Sequence, residues 1–571
     1  MAKKERWASR LGLVLAMAGN AVGLGNFLRF PVQAVQNGGG AFLIPYLVAL
    51  LVLGLPLMWI EWTMGRFGGQ FGHHSAPGVF DAMGKRPYWK YLGVFGLWVN
   101  LIIASYYLYI ESWTMAYAGH SLMGGFAKSD PAKYQAWLTG ETPNQIFAFS
   151  PWGIVIFFAC MAINVFILSR GLSKGIELVS KIGMPLLILF AAVLAVRGLM
   201  INPTDAAHST GFGIADPKAV ASPWEGLNYV WNPTYESLWN PTVWVNAAGQ
   251  IFFTLSIGMG SIHCYASYLR EKDDVTLTGA TAAVTNEFCE VILGGTILIP
   301  IAVAYLGLNV VQAKIATTSG FSLGFEVFPT LFQNWGSLAP AAGFLWFGLL
   351  FFAAITSSLA MGQPMMAFLQ TEFRLSREKS ALLLGAMVLP LALPVACLSQ
   401  RTFFDEFDYW GGTFALVLFA TIETVLFAWI YGIDKGWIEM HKGADLQVPK
   451  VFYYIIKYVT PVALLVILAT FVLKFETTPA VPANAETGTA AQPATWRIAS
   501  DGLIGKLLLL DVPVKPTDPP EVQEFTKQVR LWKLIDRAVL AGTFAFFSAL
   551  VYIAWQRRKR EGLIPYSEPT A

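Results

Sequence analysis

Apolar runs of roughly 20 residues, the length that crosses a bilayer as a helix, recur along the whole chain. They lie near 11–35, 41–66, 91–123, 152–169, 176–199, 241–268, 277–306, 340–370, 380–397, 407–431, 452–474 and 536–556. The pattern predicts an all-α membrane protein of about twelve transmembrane helices. The first run is interrupted at its centre by Gly19, Asn20, Gly23, Gly25 and Asn26. Glycine weakens a helix by about 1 kcal/mol against alanine, and a carboxamide in hydrocarbon needs a partner. This predicts a helix that stops and restarts at mid-membrane, leaving backbone carbonyls and N–H groups free to hold an ion and a solute. The sixth run is broken in a similar way over Ser256, Ile257, Gly258, Met259 and Gly260. Glycine-interrupted helices at corresponding positions of two halves point to a 5+5 inverted-repeat transporter with its site at the midplane. The repeats would span about 10–199 and 241–431 of a transport core 1–431. The eleventh and twelfth helices, in 432–571, would be peripheral.

Charge placement orients this array. Lys3, Lys4, Arg6 and Arg10 precede the first helix, and Arg66, Lys85, Arg86 and Lys90 follow the second. Basic residues return after the fourth (Arg170, Lys174), sixth (Arg270, Lys272), eighth (Arg374 to Lys379), tenth (Lys435, Lys442, Lys450) and twelfth (Arg557 to Arg560). Every second connection is basic, which places both termini and a basic tail in the cytoplasm. The long extracellular connections are then 124–151, 200–240, 307–339 and 475–535. The last opens on Thr, Pro, Ala and Gly and reads as a flexible cap. The segment 200–240, with Trp224, Trp231 and Trp239, is expected to pack over helix ends.

Composition agrees. Of 571 residues 55% are hydrophobic and 13% charged, against roughly 25% charged in soluble domains. The amino-terminal run is too long, and too broken by Gly and Asn, to read as a cleaved signal. Cys160, Cys264, Cys289 and Cys397 are scattered and lack metal spacing, as expected of buried small residues. There is no P-loop, nucleotide fingerprint, His/Cys metal cluster or nucleophile–base pair, so neither an enzyme nor a nucleic-acid binder is expected. Uphill transport would draw on an ion gradient. Asn26, Asn286, Thr254, Thr356 and Ser357, with freed carbonyls near Gly19, Ala21 and Val22, form a hard, mostly neutral oxygen set suited to an alkali cation.

Long motifs carry a resemblance: WASRLGLVLAMAGNAVGLGNFLRFP, NGGGAFLIPY, GLPLMWIEW, YYLYIESW, GQIFFTLSIGMGSI, NEFCEVILGG, TSSLAMGQPM and DEFDYWGGT. From Trp7 to about Leu473, and again in the twelfth helix, the chain resembles bacterial members of the neurotransmitter:sodium symporter family. The resemblance implies two sodium ions and no organic cofactor. The first ion would meet the Ala21 carbonyl, Asn26, Thr254, Asn286 and the substrate carboxylate, so that ion and solute are coupled directly. The second would meet the carbonyls of Gly19, Val22 and Ala353 and the hydroxyls of Thr356 and Ser357. The N–H groups of Leu24 and Gly25 and the Tyr107 hydroxyl would hold the carboxylate. The carbonyls of Ala21, Phe253 and Thr254 and the Ser256 hydroxyl would hold the amine. Monoamine-carrying members have aspartate where this chain has Gly23, which favours an amino acid over an amine.

The implied side-chain pocket is Ile103, Tyr107, Phe253, Ser256, Met259, Ser357 and Met361. A leucine-carrying member has phenylalanine, valine and isoleucine at the positions of Met259, Ile103 and Met361. Two flexible thioethers make an adaptable wall. The expected substrate is a neutral hydrophobic amino acid, aliphatic with aromatics tolerated. Arg29 and Asp408 would close an outer gate by a salt bridge, above a lid of Tyr107 and Phe253. The family's inner arginine–aspartate gate falls on Lys4 and Thr371, which cannot be ionic, although Glu372 and Arg6 lie close by in sequence. Trp7, Ser267, Tyr268 and Gln363 match, so a weakened or rewired inner gate is expected.

Glu290, expected beside Tyr46, Gln250, Thr254 and Asn286, stands where chloride-dependent members have serine. Its carboxylate would substitute for chloride, could also take up a proton on the return step, and has a purely structural role as the alternative. Glu61 is expected to brace the unwound sixth helix, and Gly175 and Pro185 match a motif for unwinding the inner half of the fifth. The resemblance implies sodium-coupled, chloride-independent symport by alternating access in a bacterial plasma (inner) membrane. The partners would be amino acid, sodium and lipid, and a homodimer is compatible with it. The alternative is a membrane sensor that binds an amino acid without moving it.

Overall fold

Polar caps and prolines start helices where the apolar runs begin. The Ser9 hydroxyl accepts from Gly12 N–H ahead of Arg10–Ala21, Ser150 from Gly153 N–H ahead of Pro151–Ser169, and Asn240 from Thr242 N–H ahead of Pro241–Leu255. Each cap satisfies an N–H that a helix start leaves orphaned, and proline in the first turn forfeits no hydrogen bond. The structure, a computed structural model, describes residues 5–84, 86–127, 129–202, 222–315, 320–478 and 495–564. Among these, ten helices are long and apolar enough to cross a membrane, and eleven when the bent pair Arg10–Ala21 and Leu24–Gln36 counts as one span.

The second to fifth spans are Gly40–Gln70, Trp89–Leu122, Pro151–Ser169 and Leu172–Leu199. The seventh is Thr276–Leu306, the eighth runs over Ala339–Phe373, and Arg377–Cys397, Phe403–Met440, Val451–Val472 and Pro520–Arg560 follow. The expected sixth is two pieces, Pro241–Leu255 and Ser261–Ala266, of 15 and 6 residues, neither long enough alone. The expected fold of about twelve spans with broken first and sixth helices is therefore the one observed.

The first span bends by 53° at its break. There Val22 and Gly23 take extended backbone, and Val22 N–H caps back onto the Ala18 carbonyl. At the sixth-span break Ser256, Gly258 and Gly260 all have positive φ, at 51°, 73° and 84°. Glycine adopts that region freely, and serine does not. The Ser256 hydroxyl donates to the Asn20 carbonyl at 2.9 Å, and the Glu61 carboxylate accepts from Gly258 N–H at 2.7 Å. The two breaks are thus bonded to each other and to the second span, as expected of Glu61.

Burial ranks the spans. Of the most apolar stretch of each, 94% is inside the protein for the third, but 22% and 28% for the eleventh and twelfth. The third therefore runs through the centre. The twelfth helix begins at Pro520 and is 41 residues long, about 60 Å. This corrects the expectation of a flexible cap for 495–535, while 479–494, which hold most of the Thr, Pro, Ala and Gly opening, lie outside the described residues. Strands Phe475–Thr478 and Thr495–Ile498 pair antiparallel, and a short helix covers Leu503–Leu507. Lys533 anchors the outer turns of the twelfth helix to Glu406 at 3.2 Å and Asp511 at 3.0 Å. Burial pushes the Asp511 carboxyl up, but Lys506 and Lys533 overcome that and hold it below the usual carboxylate range. In the connection after the fifth span, the described helix Pro223–Trp231 lies on the seventh, with a Cβ on Gly226 meeting Pro300 at 2.9 Å.

Candidate functional site at the two helix breaks

The two breaks enclose a cavity of about 30 Å³. Ala21, Leu24, Gly25, Ile103, Tyr107, Phe253, Ser256, Met259, Ser357 and Met361 line it, together with Gly23, Asn26, Tyr106, Gly412 and Leu416. Of the expected substrate residues, only Thr254 stands back from this wall. Leu24 N–H donates to the Tyr107 hydroxyl at 3.2 Å, so the N–H and hydroxyl expected to hold a carboxylate already adjoin each other. A Cβ on Gly25 would collide with the Phe253 ring, which shows how closely that ring covers the cavity. A Cβ on Gly23 would stand 3.1 Å from the Tyr107 hydroxyl and 3.2 Å from the Ser357 hydroxyl. Any longer side chain at 23 would enter the solute space.

Thr254 belongs to an oxygen cluster beside the cavity. The Asn286 carboxamide lies 2.8 Å from both the Asn26 amide and the Thr254 hydroxyl, and 3.2 Å from the Ala21 and Thr254 carbonyls. The Asn26 side-chain oxygen accepts from Gly23 N–H at 2.9 Å. These are the residues expected around one sodium, and all are buried. A second group sits where the first span crosses the eighth. The Ser357 hydroxyl lies 3.2 Å from the Gly19 carbonyl, and the Thr356 hydroxyl lies 3.3 Å from the Ala353 carbonyl. Gly19 touches Thr356 so closely that a Cβ there would come within 2.9 Å. Val22 is the residue at which the first helix ends. Both groups are neutral and all-oxygen, the donor chemistry of a hard monovalent cation.

Above the cavity lies a vestibule of about 290 Å³, lined among others by Arg29, Gln33, Tyr107, Phe253, Phe321 and Asp408. Arg29 stacks over Phe253 at 4.5 Å, and Asp408 accepts from the Tyr106 hydroxyl at 3.0 Å. The pair expected as an outer salt bridge faces one vestibule, but each member holds another partner. Phe253 covers the cavity, and no ion pair joins Arg29 to Asp408 among the described residues.

Glu290 is fully buried on the seventh span and accepts from the Gln250 amide at 2.7 Å. Beneath the breaks is a larger cavity of about 410 Å³, lined in part by Trp7, Ser9, Arg10, Leu13 and Asp274. Arg10 bridges Asp274 at 3.2 Å and Asp445 at 3.0 Å. Burial pushes the Asp274 carboxyl up. The N–H groups of Leu277 and Asp445 and the Thr276 hydroxyl prevail and keep it below the usual range. In the fifth span Gly175 sits in a wide turn over Leu172–Ile176, and Pro185 lies further along.

On the inner side the charged contacts run through residues other than the family's gate positions Lys4 and Thr371. Lys4 lies outside the described residues. Thr371 takes no part, and Glu372 pairs with Arg558 of the tail at 2.6 Å and lies 3.6 Å from His73. An ion pair on the inner side joins Glu5 to Arg377 at 2.5 Å. Arg377 also donates to Gln363 at 2.9 Å, and Gln363 donates to the Tyr268 hydroxyl at 3.2 Å. Trp7 donates to the Tyr265 carbonyl at 3.1 Å alongside. The polarity is reversed, with acid on the amino-terminal segment and base at the head of the ninth span. Sequence reading also missed Gly412 and Leu416. They lie at i+4 and i+8 from Asp408 on one helix face, a spacing that could have placed them below it.

Comparison with known proteins agrees with this geometry. The model of the sodium:neurotransmitter symporter family matches residues 4–142 and 152–492. An uncharacterised sodium-dependent transporter of Methanocaldococcus jannaschii is 29% identical over 81% of this chain and 89% of that protein. A sodium-dependent nutrient amino acid transporter of Drosophila grimshawi is 25% identical over 76% of this chain and 71% of its own. The crystal structure of MhsT in complex with L-phenylalanine aligns with a TM-score of 0.67 and 27% identity, covering 82% of this chain and all of that one.

Proposed function

Because the chain belongs to the sodium:neurotransmitter symporter family and is a sodium-dependent transporter, we propose that it carries neutral hydrophobic amino acids, aromatic ones included, with two sodium ions per cycle and no need of chloride. The observation that carries the proposal is the juxtaposition of cavity and oxygen cluster. Ala21 and Asn26 belong to both, so a carboxylate held at Leu24 N–H and Tyr107 would complete the coordination of the ion at Asn286. An α-amino acid supplies that carboxylate, and Gly23 leaves room for it. Ile103, Met259 and Met361 offer the side chain only apolar contact, and the thioethers adapt to its size. The solute binding of one relative supports aromatic residues: MhsT was crystallised with L-phenylalanine.

Solute and sodium would enter from the vestibule under Arg29 and Asp408, with Phe253 closing over them. Release would follow the opening of Glu5–Arg377 and of the wide turn at Gly175 toward the lower cavity. The basic connections support a cytoplasmic position for that lower side. A sensor that binds without transport is the weaker reading, since Glu5 and Arg377 supply an ion pair on the inner side that alternating access could use.

The test is uptake of labelled phenylalanine and leucine into proteoliposomes under an inward sodium gradient, with potassium as control. Accumulation that collapses without sodium is expected, and sodium-dependent binding without accumulation would instead favour the sensor. Chloride is tested separately. Glu290→Ser removes a buried negative charge that an external anion can replace. Uptake by the variant should fall roughly tenfold in gluconate and recover in chloride, whereas wild-type uptake ignores the exchange. A variant indifferent to chloride would leave Glu290 a structural role.

A further inference from the structure

A second polar cluster lies just below the sixth-span break, apart from both oxygen groups. Glu61 comes from the second span, His263 from the inner half of the sixth and Glu423 from the tenth, and all three side chains are fully buried. One ligating atom of each falls within 4.8 Å of the others. Both nitrogens of His263 lack hydrogen-bond partners, and the carboxyls of Glu61 and Glu423 face each other within hydrogen-bond reach, with Gly258 N–H as the one backbone donor to the pair. Phe80 and Phe419 flank the imidazole edge-on and offer it nothing polar. Among the described residues no lysine or arginine pairs with any of the three.

We propose that Glu61, His263 and Glu423 form a binding site for one divalent transition-metal ion of the zinc class. The charge argument comes first. Two carboxylates buried in apolar surroundings without a counter-charge are costly, and a single divalent ion neutralises both. Geometry favours a metal over a direct ion pair. His263 Nε2 and Glu423 Oε2 stand 3.4 Å apart without hydrogen-bond alignment. Two ligands of one tetrahedral zinc, each bonded at about 2.1 Å, stand about 3.4 Å apart. One imidazole nitrogen with two carboxylates suits zinc and its neighbours rather than sodium, which has no preference for nitrogen. Glu61 keeps its other oxygen on Gly258 N–H, so a bound ion would tie the inner half of the sixth span to the second and tenth at the hinge itself. No local spacing announces the site, since its members lie at 61, 263 and 423.

The test uses the purified full chain, its affinity tag removed and metal stripped with chelator, titrated with zinc against a chromophoric competitor. One zinc per chain is expected, with the visible bands of a tetrahedral centre when cobalt replaces it. His263→Leu and Glu423→Gln should each weaken binding roughly hundredfold. Glu61→Gln, close to isosteric, serves should the histidine variant fail to fold, and sodium-dependent phenylalanine binding by each variant reports folding. Zinc binding no tighter in wild type than in these variants overturns the proposal. So does a pH titration showing that the metal-free cluster only shares a proton. The readout is independent of transport, so its failure leaves the symporter reading intact, and absence of uptake leaves the metal site intact.

Discussion

Asn286→Ala should weaken sodium and amino-acid binding together, each by roughly a hundredfold or about 2.8 kcal/mol. The residue is the hub of its cluster, within 2.8 Å of the Asn26 amide and the Thr254 hydroxyl and within 3.2 Å of two carbonyls. Alanine removes a neutral oxygen that an ion would use and strands Thr254 and Asn26 in a buried site. A buried polar group left without its partner costs about 1–3 kcal/mol, enough alone to account for most of the loss. The joint effect distinguishes this prediction from simple damage. If the solute carboxylate completes the ion's shell, the coupling is reciprocal, and a defect in one affinity must appear in the other. Equilibrium binding of labelled phenylalanine across a sodium series, with potassium replacing sodium, measures both. A variant with unchanged half-saturating sodium would remove Asn286 from the ion site.

The sequence reveals such positions because membranes punish them. Glycine and asparagine at the centre of an apolar run cost too much to be incidental, so both breaks and their oxygen set are legible in the order of residues alone. Outside the hydrocarbon this signal disappears. The outer turns of the twelfth helix are rich in charge and read as loop, yet Phe525, Val529, Lys533, Asp536 and Leu540 are buried at helical spacing. There Lys533 takes a core position because Glu406 and Asp511 meet it, and Asp536 is buried one turn further on. A search for apolar runs cannot see a stripe built partly of paired charges. The inner gate is hidden for another reason. Its partners lie 372 residues apart, and a reversed ion pair preserves attraction while changing both residue types. Position-by-position matching with relatives therefore finds Lys4 and Thr371 and stops.

That reversal makes the gate testable by charge exchange. Glu5→Arg and Arg377→Glu each set like charges against each other where the inner side closes, and each should cut sodium-driven uptake roughly tenfold. The double exchange restores attraction and should recover most of it. Arg377 does more than pair with Glu5, since it also donates to the Leu168 carbonyl and to Gln363. Glutamate at 377 cannot make those bonds, so recovery should be incomplete, and Glu5→Arg alone should be the milder single change. Uptake cannot by itself separate a broken gate from a damaged protein. A reporter can, because an unlatched inner side exposes the lower cavity. Leu13→Cys lines that cavity and is buried in the closed form, while three of the four native cysteines are buried as background. Thiol labelling at that position should accelerate in either single variant and slow again in the double. Labelling unchanged in the singles would show that Glu5–Arg377 is a surface contact and that the inner side is held shut by Trp7, Tyr268 and Gln363 without it.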